Sequence, residues 1–191
     1  MDVKQAIEQR RAYRSLEPVT ITEELVNDLA KHAQLAPSCF NNQPWRFIFI
    51  YEPTLMNRMH EVFSKGNEWA FAASMYIVVL SKKEFDCMTK DNREYFLFDT
   101  GMAVAFLLLR ATELGLVAHP ISGYSQRKTR EILGIPDDLQ VVTLINVGKH
   151  ANTASPVLSA DQIQSEKKRP ERFSLERFVS PNRFSQELNQ K

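Results

Sequence analysis

Runs of β-branched and aromatic residues alternating with helical periods along the 191 residues predict a three-layer α+β sandwich. Two runs carry the strands of that reading. Phe47-Ile48-Phe49-Ile50-Tyr51 and Met75-Tyr76-Ile77-Val78-Val79-Leu80 are apolar enough to be buried on at least one side. The third observation lies between Arg93 and Leu114, where Phe98, Met102, Ala105, Phe106 and Leu109 are joined by Leu97, Val104, Leu107 and Leu108. This spacing predicts a helix apolar almost all round, central or interfacial, with Gly115 placed to cap it.

The remaining elements follow in order. Val3, Ala6 and Ile7 mark a short amphipathic opening segment. Thr20 and Glu23 have capping-box spacing, and Leu25, Val26, Leu29 and Ala33 then share one helical face until Pro37 approaches. Leu55, Met56, Met59, Val62 and Phe63 predict a helix between the two strands. Leu116 to His119 reads as a short strand, Ser125 to Leu133 as a helix closed by Gly134 and Pro136, and Val141 to Val147 as a buried strand. After Gly148 the composition turns to Ser, Pro, Gln, Lys and Arg, with an apolar recovery at Leu175, Phe178 and Val179. Such a tail is not expected to bury itself. One domain is expected, residues 1–150 forming its body and 151–191 an extension.

Composition excludes several function classes. With 24 Lys and Arg against 23 Asp and Glu, the net charge of +1 sets up no global field for nucleic acid or an anionic membrane. No stretch is expected to reach the length of a membrane span, and the chain reads as cytoplasmic. No GxGxxG follows a strand among the six glycines, and no Walker loop is present. His32, His60, His119 and His150 lie far apart without paired carboxylates, so no metal site is expected. Two cysteines, Cys39 and Cys87, are too few for a disulfide framework, and Cys87 is expected to be an ordinary thiol. His119, before Pro120, reads as a packed strand-end residue.

Two segments carry chemistry. Ala36-Pro37-Ser38-Cys39-Phe40-Asn41-Asn42-Gln43-Pro44-Trp45 joins a helix to a strand with more polar length than a connection needs. Arg10-Arg11-Ala12-Tyr13-Arg14 places three guanidiniums within five residues, where they repel. Guanidiniums suit bidentate recognition of phosphate or carboxylate, so an anionic partner would relieve that repulsion. The plain alternatives are a polar connection and a solvated basic face.

Together these segments resemble the FMN-dependent nitroreductase family, and Asp99-Thr100-Gly101, Gly115-Leu116, Pro120-Ile121-Ser122-Gly123-Tyr124 and Gly134-Ile135-Pro136 recur there in the same order. The resemblance runs from about Ile7 to Val179. It implies a mixed or antiparallel central sheet, and a homodimer in which the 151–191 extension wraps the partner and Ser174 to Val179 adds an edge strand to its sheet. Arg10, Arg11, Ala12 and Arg14, with Arg169 or Arg172 from the tail, would then meet the phosphate end and ring edge of FMN. Pro37, Ser38, Cys39, Asn41 and Gln43 would contact it across the subunit interface, Cys39 through its backbone with its sulfur idle. Asn67 is a candidate for the polar edge of the ring. Pro120, Ile121, Ser122 and Gly123 would pass beside it, the Gly123 N–H near flavin N5. Phe40, Trp69 and Phe71 are candidates for the substrate pocket, which the short stretch from Lys82 to Asp99 would leave less enclosed.

Ala12 stands where the family often has Ser, and Ser122 where several relatives carry Glu. The implied activity is reduction of nitroaromatics, quinones or related acceptors, with NADH or NADPH delivering hydride in a ping-pong cycle. Two alternatives stay open: another reductive reaction on the same fold, such as dehalogenation, enone reduction or flavin destruction, or a flavin-binding or interaction protein without turnover.

Overall fold

The computed structural model describes residues 1–189. Its sheet is built around β3 (Met75–Ser81), whose seven residues are all buried. Alternation along β3 feeds two cores. Tyr76, Val78 and Leu80 face one side with Ile50, Met59, Val62, Trp69, Ile121 and Leu144, while Met75, Ile77 and Val79 face the other with Leu29, Trp45, Ala103, Leu107, Ile145 and Val147. The expected three layers follow from that alternation.

Strand β3 pairs with β2 (Arg46–Ile50) on one edge and with β5 (Gln140–His150) on the other. Along its second edge β5 pairs with β4 (Val117–Ile121), and its last two residues pair with β1 (Leu16–Glu17). Every pairing among the described strands is antiparallel. Of the expected mixed or antiparallel sheet, the antiparallel form is the one present. Pro120 is tolerated within β4 because that strand pairs only with β5 and needs no second ladder.

One helical layer holds α2 (Glu23–Gln34) and α4 (Tyr95–Glu113), braced by Arg110, whose Nε and Nη2 donate to the Asp28 carboxylate at 2.6 and 3.0 Å. The short α1 (Val3–Gln9) lies against α4. The other layer holds α3 (Pro53–Met59) and α5 (Gln126–Leu133). Gly115 (φ +74°) and Gly134 (φ +65°) end α4 and α5 in the left-handed conformation that glycine allows.

Several boundaries move. Thr22, not Thr20, caps α2, its hydroxyl accepting from the Leu25 N–H. The helix after β2 stops at Met59 and continues as a 3-10 turn through Val62. Strand β5 runs through Gly148 to His150, so the change of composition there does not mark the end of the sheet. The tail also folds back, against expectation. It forms α6 (Ala160–Lys167), started by a capping box between Ser159 and Gln162, and Leu158 is buried in the core. Within the single chain, Ser174 to Val179 holds a 3-10 turn at Leu175–Arg177. At 19 residues and a mean hydropathy of 1.3, α4 does reach the length and composition of a membrane span, contrary to the expectation that no stretch would. Its buried face, with Ala103, Leu107 and Ala111, packs as a core helix, and Asp99 and Arg110 interrupt it.

Candidate functional site

The chain leaves α1 at Arg10 and crosses to β1, carrying Arg10, Arg11, Ala12 and Arg14 past the C-terminal end of α6. There they meet Arg169 and Arg172, and together with Ser165 and Pro170 these residues line a cavity of about 170 Å³. Five guanidiniums thus converge from segments about 160 positions apart. Among the described residues no carboxylate pairs with any of them, and none lines the cavity. Burial and then the neighbouring charges of Arg169, Arg172 and Arg11 lower the pKa of Arg10. A phosphate dianion is the chemistry that relieves this cluster. At about 170 Å³ the cavity has room for a phosphate group and is too small for a whole flavin mononucleotide.

The arginines differ in what holds them. Arg11 Nη2 donates to the carbonyls of Ser165 (2.8 Å) and Glu166 (3.2 Å), stapling the end of α6, and its guanidinium lies 5.0 Å from the Tyr13 ring centroid. Arg169 Nη2 donates to the carbonyls of Glu8 (2.6 Å) and Arg10 (2.9 Å). Arg14 reaches Ser165 Oγ at 3.2 Å and lies 5.8 Å from the Trp69 ring centroid.

Glu166, absent from the sequence reading, fastens the cluster. Its carboxylate accepts from the Arg14 N–H, the Ser15 N–H (2.7 Å) and the Ser15 hydroxyl (2.5 Å), while Ser15, only 1% exposed, also accepts from the Ser155 N–H at 2.9 Å. Partial burial alone would raise the Glu166 pKa. The hydrogen bonds from Ser15 and Arg14 outweigh it and hold the carboxyl below its usual range. The one signal in the sequence is the Ser159–Gln162 capping box that starts α6.

Beneath Arg14, Trp69 is 2% exposed and stacks on His119, with centroids 4.6 Å apart. The expectation that Trp69 lines a substrate pocket is therefore corrected, because the indole is a core residue whose Nε1 donates to Asn67 Oδ1 at 3.2 Å. Asn67 in turn donates through Nδ2 to the Gly123 carbonyl at 3.2 Å, which also accepts from the Ser64 N–H at 2.9 Å. Asn67 and Gly123 are thus brought together, with the Asn67 amide engaged at both ends. A Cβ at Gly123 would collide with Asn67 Nδ2, so any larger residue here would force the Asn67 amide out of its present contacts. Pro120 and Ile121 belong to β4, and Ser122 is exposed beyond it. His119 Nδ1–H donates to the Tyr13 carbonyl (3.0 Å), and burial, then Arg14 and Arg10, lower its pKa to about 4. It is neutral near pH 7.

No residue of loop 36–45 lines the arginine cavity. The loop's backbone is unusual: Phe40, Asn41 and Gln43 have φ of 47°, 58° and 49°. The Gln43 N–H donates to Ser38 Oγ at 2.9 Å, and the Cys39 N–H donates to Asp99 at 2.7 Å. Phe40 is 92% exposed, and Phe71, 42% exposed, stacks on His60 with centroids 4.1 Å apart. The expectation of an ordinary thiol at Cys87 and an idle sulfur at Cys39 is corrected as well: the two are joined in a disulfide, with Cα atoms 6.1 Å apart. Sequence separation of 48 residues hides such a pairing, which only the approach of the 82–94 segment to this loop creates.

An antiparallel sheet between two helical layers, with an arginine-lined cavity where the two ends of the fold meet, defines an α+β protein with the chemistry of an anion site. The chain belongs to the Nitroreductase family, whose sequence profile matches residues 7–68 and 64–149. A protein of Archaeoglobus fulgidus provisionally named NADH dehydrogenase/NAD(P)H nitroreductase is 28% identical over 167 residues, covering 83% of this chain and 94% of its own. The NADH dehydrogenase of Thermus thermophilus is 23% identical over 186 residues, covering 82% and 90%. Among solved structures, an oxidoreductase containing FMN matches with a TM-score of 0.82 at 25% identity, covering 97% of this chain and 94% of that one. A nitroreductase family protein of Clostridium difficile matches with a TM-score of 0.79 at 22% identity, covering 96% and 100%.

Proposed function

We propose that the protein is an FMN-dependent NAD(P)H oxidoreductase that reduces nitroaromatics, quinones or related small acceptors. The observation that carries this reading is the unneutralised cluster of Arg10, Arg11, Arg14, Arg169 and Arg172 around a phosphate-sized cavity, in a chain of this family. Bound FMN would supply the redox chemistry, taking hydride from NADH or NADPH and passing electrons to the acceptor. The residues of the chain do the rest. The arginines hold the phosphate, and Arg14, stacked over Trp69, extends positive charge towards the ring, where it favours an anionic reduced flavin. Asn67 and Ser64 fix the peptide of Gly123 so that backbone can approach the cofactor closely. Neutral His119 holds the Tyr13 carbonyl, and with it the arginine segment, without offering a proton.

A homodimer completes the reading. Val3 (71% exposed), Ile7 (55%), Phe98 (58%) and Phe106 (41%) leave an apolar surface along α1 and α4. A second copy of the chain covering it brings a loop 36–45 within reach of the other subunit's flavin, and residues 151–191 are read as an extension of the one domain. A cytoplasmic setting, where reduced nicotinamides are available, goes with this function.

The test is a visible spectrum of the purified protein with added FMN, repeated anaerobically after NADPH and then NADH, followed by a panel of nitroaromatic, quinone and halophenol acceptors. Bound flavin bleached by either nucleotide and reoxidised by an acceptor is expected. A folded dimer that leaves FMN free would sink the proposal.

A further inference from the structure

The disulfide ties the loop assigned to the flavin to a segment that has no flavin role. Both ends are also held through their backbones: the Cys39 N–H donates to Asp99 at 2.7 Å, and the Cys87 N–H donates to Asp86 at 2.8 Å. Asn42 Nδ2 reaches the same Asp86 oxygen at 3.3 Å. An Asp86 carboxylate oxygen and the two sulfurs all lie within 4.8 Å of one another. Just beyond Cys39, the non-glycine residues Phe40, Asn41 and Gln43 sit in the left-handed region. Such residues stay there only where surrounding structure holds them, and the crosslink is the covalent part of that hold.

The bridge is reachable. Cys39 and Cys87 are half-buried, with Phe40 beside one and Met88 (64% exposed) beside the other. In the cytoplasmic setting proposed above, a disulfide is ordinarily transient and redox-active, not a permanent staple.

We propose that Cys39–Cys87 is a thiol–disulfide exchange site for a dithiol reductant, and that its oxidation state sets the conformation of residues 39–43 and thereby the affinity for FMN. The last step rests on the flavin reading of this loop. In the exchange, one thiolate of the dithiol attacks a sulfur of the bridge, the protein S–S bond breaks and a mixed disulfide forms. The reductant's second thiol then attacks the first thiol's sulfur in that mixed disulfide and displaces the protein cysteine as a thiolate. The dithiol leaves as a disulfide, and its two electrons and two protons remain on Cys39 and Cys87. With the covalent hold gone, the left-handed segment is free to relax.

The experiment equilibrates the full-length protein in graded ratios of reduced to oxidised dithiothreitol, counts alkylated cysteines by mass spectrometry, and measures FMN affinity by flavin fluorescence at each ratio. Cys87→Ser, which lies outside the flavin site, is carried alongside. The expected result is a single two-electron transition from no labelled cysteine to two, with FMN held about tenfold more weakly in the reduced state because the loop is no longer preorganised. Cys87→Ser should show the weaker affinity at every ratio. Two labelled thiols throughout, or no labelled thiol at any ratio, would overturn the exchange. An affinity unchanged across the transition would overturn the coupling to the loop. Absence of FMN binding at every ratio removes the flavin reading instead, and the cysteine count still decides the exchange.

Discussion

Replacing Glu166 by alanine removes the acceptor that three donors share: the Arg14 N–H, the Ser15 N–H and the Ser15 hydroxyl. Hydrogen bonds to a charged acceptor contribute ~1.5–3 kcal/mol each where water is excluded, but Glu166 is only partly buried, and solvent recovers much of that. Ser15 stays inaccessible, so its N–H and hydroxyl bear the larger share. The net loss works out at ~2–3 kcal/mol, equivalent to a fall in Tm of roughly 5–10 °C for a chain of this size. FMN affinity should fall too, because α6 carries Arg169 and Arg172 into the cavity behind it.

The pH dependence gives a second readout of the same contact. The folded pKa of Glu166 lies below the usual range, so its contribution is complete above the unfolded value of ~4.3 and is lost as pH falls through the folded value. Urea denaturation of the parent and Glu166→Ala at pH 7 and pH 3 measures both. A difference at pH 7 that shrinks at pH 3 supports the contact. A difference below ~0.5 kcal/mol at pH 7, the size of an ordinary surface substitution, would refute the reasoning.

Other consequences can be measured independently. Arg172→Ala should weaken FMN binding at least about tenfold while leaving the Tm of the flavin-free protein equal or higher, since it removes one member of a self-repelling cluster; titration and thermal melts read the two effects. Inorganic phosphate at millimolar concentration should raise the Tm of the flavin-free protein and compete with FMN, and sodium chloride of equal ionic strength should do so less. His119, at about 4 when folded against ~6.5 unfolded, makes stability fall by ~2–4 kcal/mol as pH drops from ~6.5 to 4, and His119→Gln should flatten that limb in urea titrations at each pH. Gly123→Ala drives a methyl into Asn67 and should cost ~1–3 kcal/mol, with most of the loss recovered in Gly123→Ala/Asn67→Ser, as a double-mutant cycle will show.

How far the sequence could be read depended on the range of the interactions involved. Apolar runs placed β3 and the centre of β5, because burial leaves few polar residues to blur the pattern: between Val141 and Val147 only Thr143 and Asn146 interrupt it. The cluster Arg10, Arg11 and Arg14 is legible in the sequence because its members are neighbours, and the structure brings Arg169 and Arg172 beside it. Trp69 was misread because its burial follows from a 3-10 turn, Glu68–Ala72, which has too short a period to announce which face lies inside. Glu166 and the cysteine bridge stayed hidden for another reason. Their partners are backbone groups or single side chains at distant positions, and neither leaves a repeat in the sequence. The capping box at Ser159 was legible, but the polarity of the tail masked it.

The phosphate cavity joins residues 10–14 to residues 165–172, and this fixes its place in the order of synthesis. A ribosome must deliver about nine-tenths of the chain before the second half of the cavity exists. Until then the N-terminal arginines have no α6 to hold them and no cations from the tail to share a phosphate. On the proposal that this cavity holds the FMN phosphate, flavin capture belongs to the last stage of folding. A chain truncated before α6 would keep the strands of this fold and lack half of its anion site.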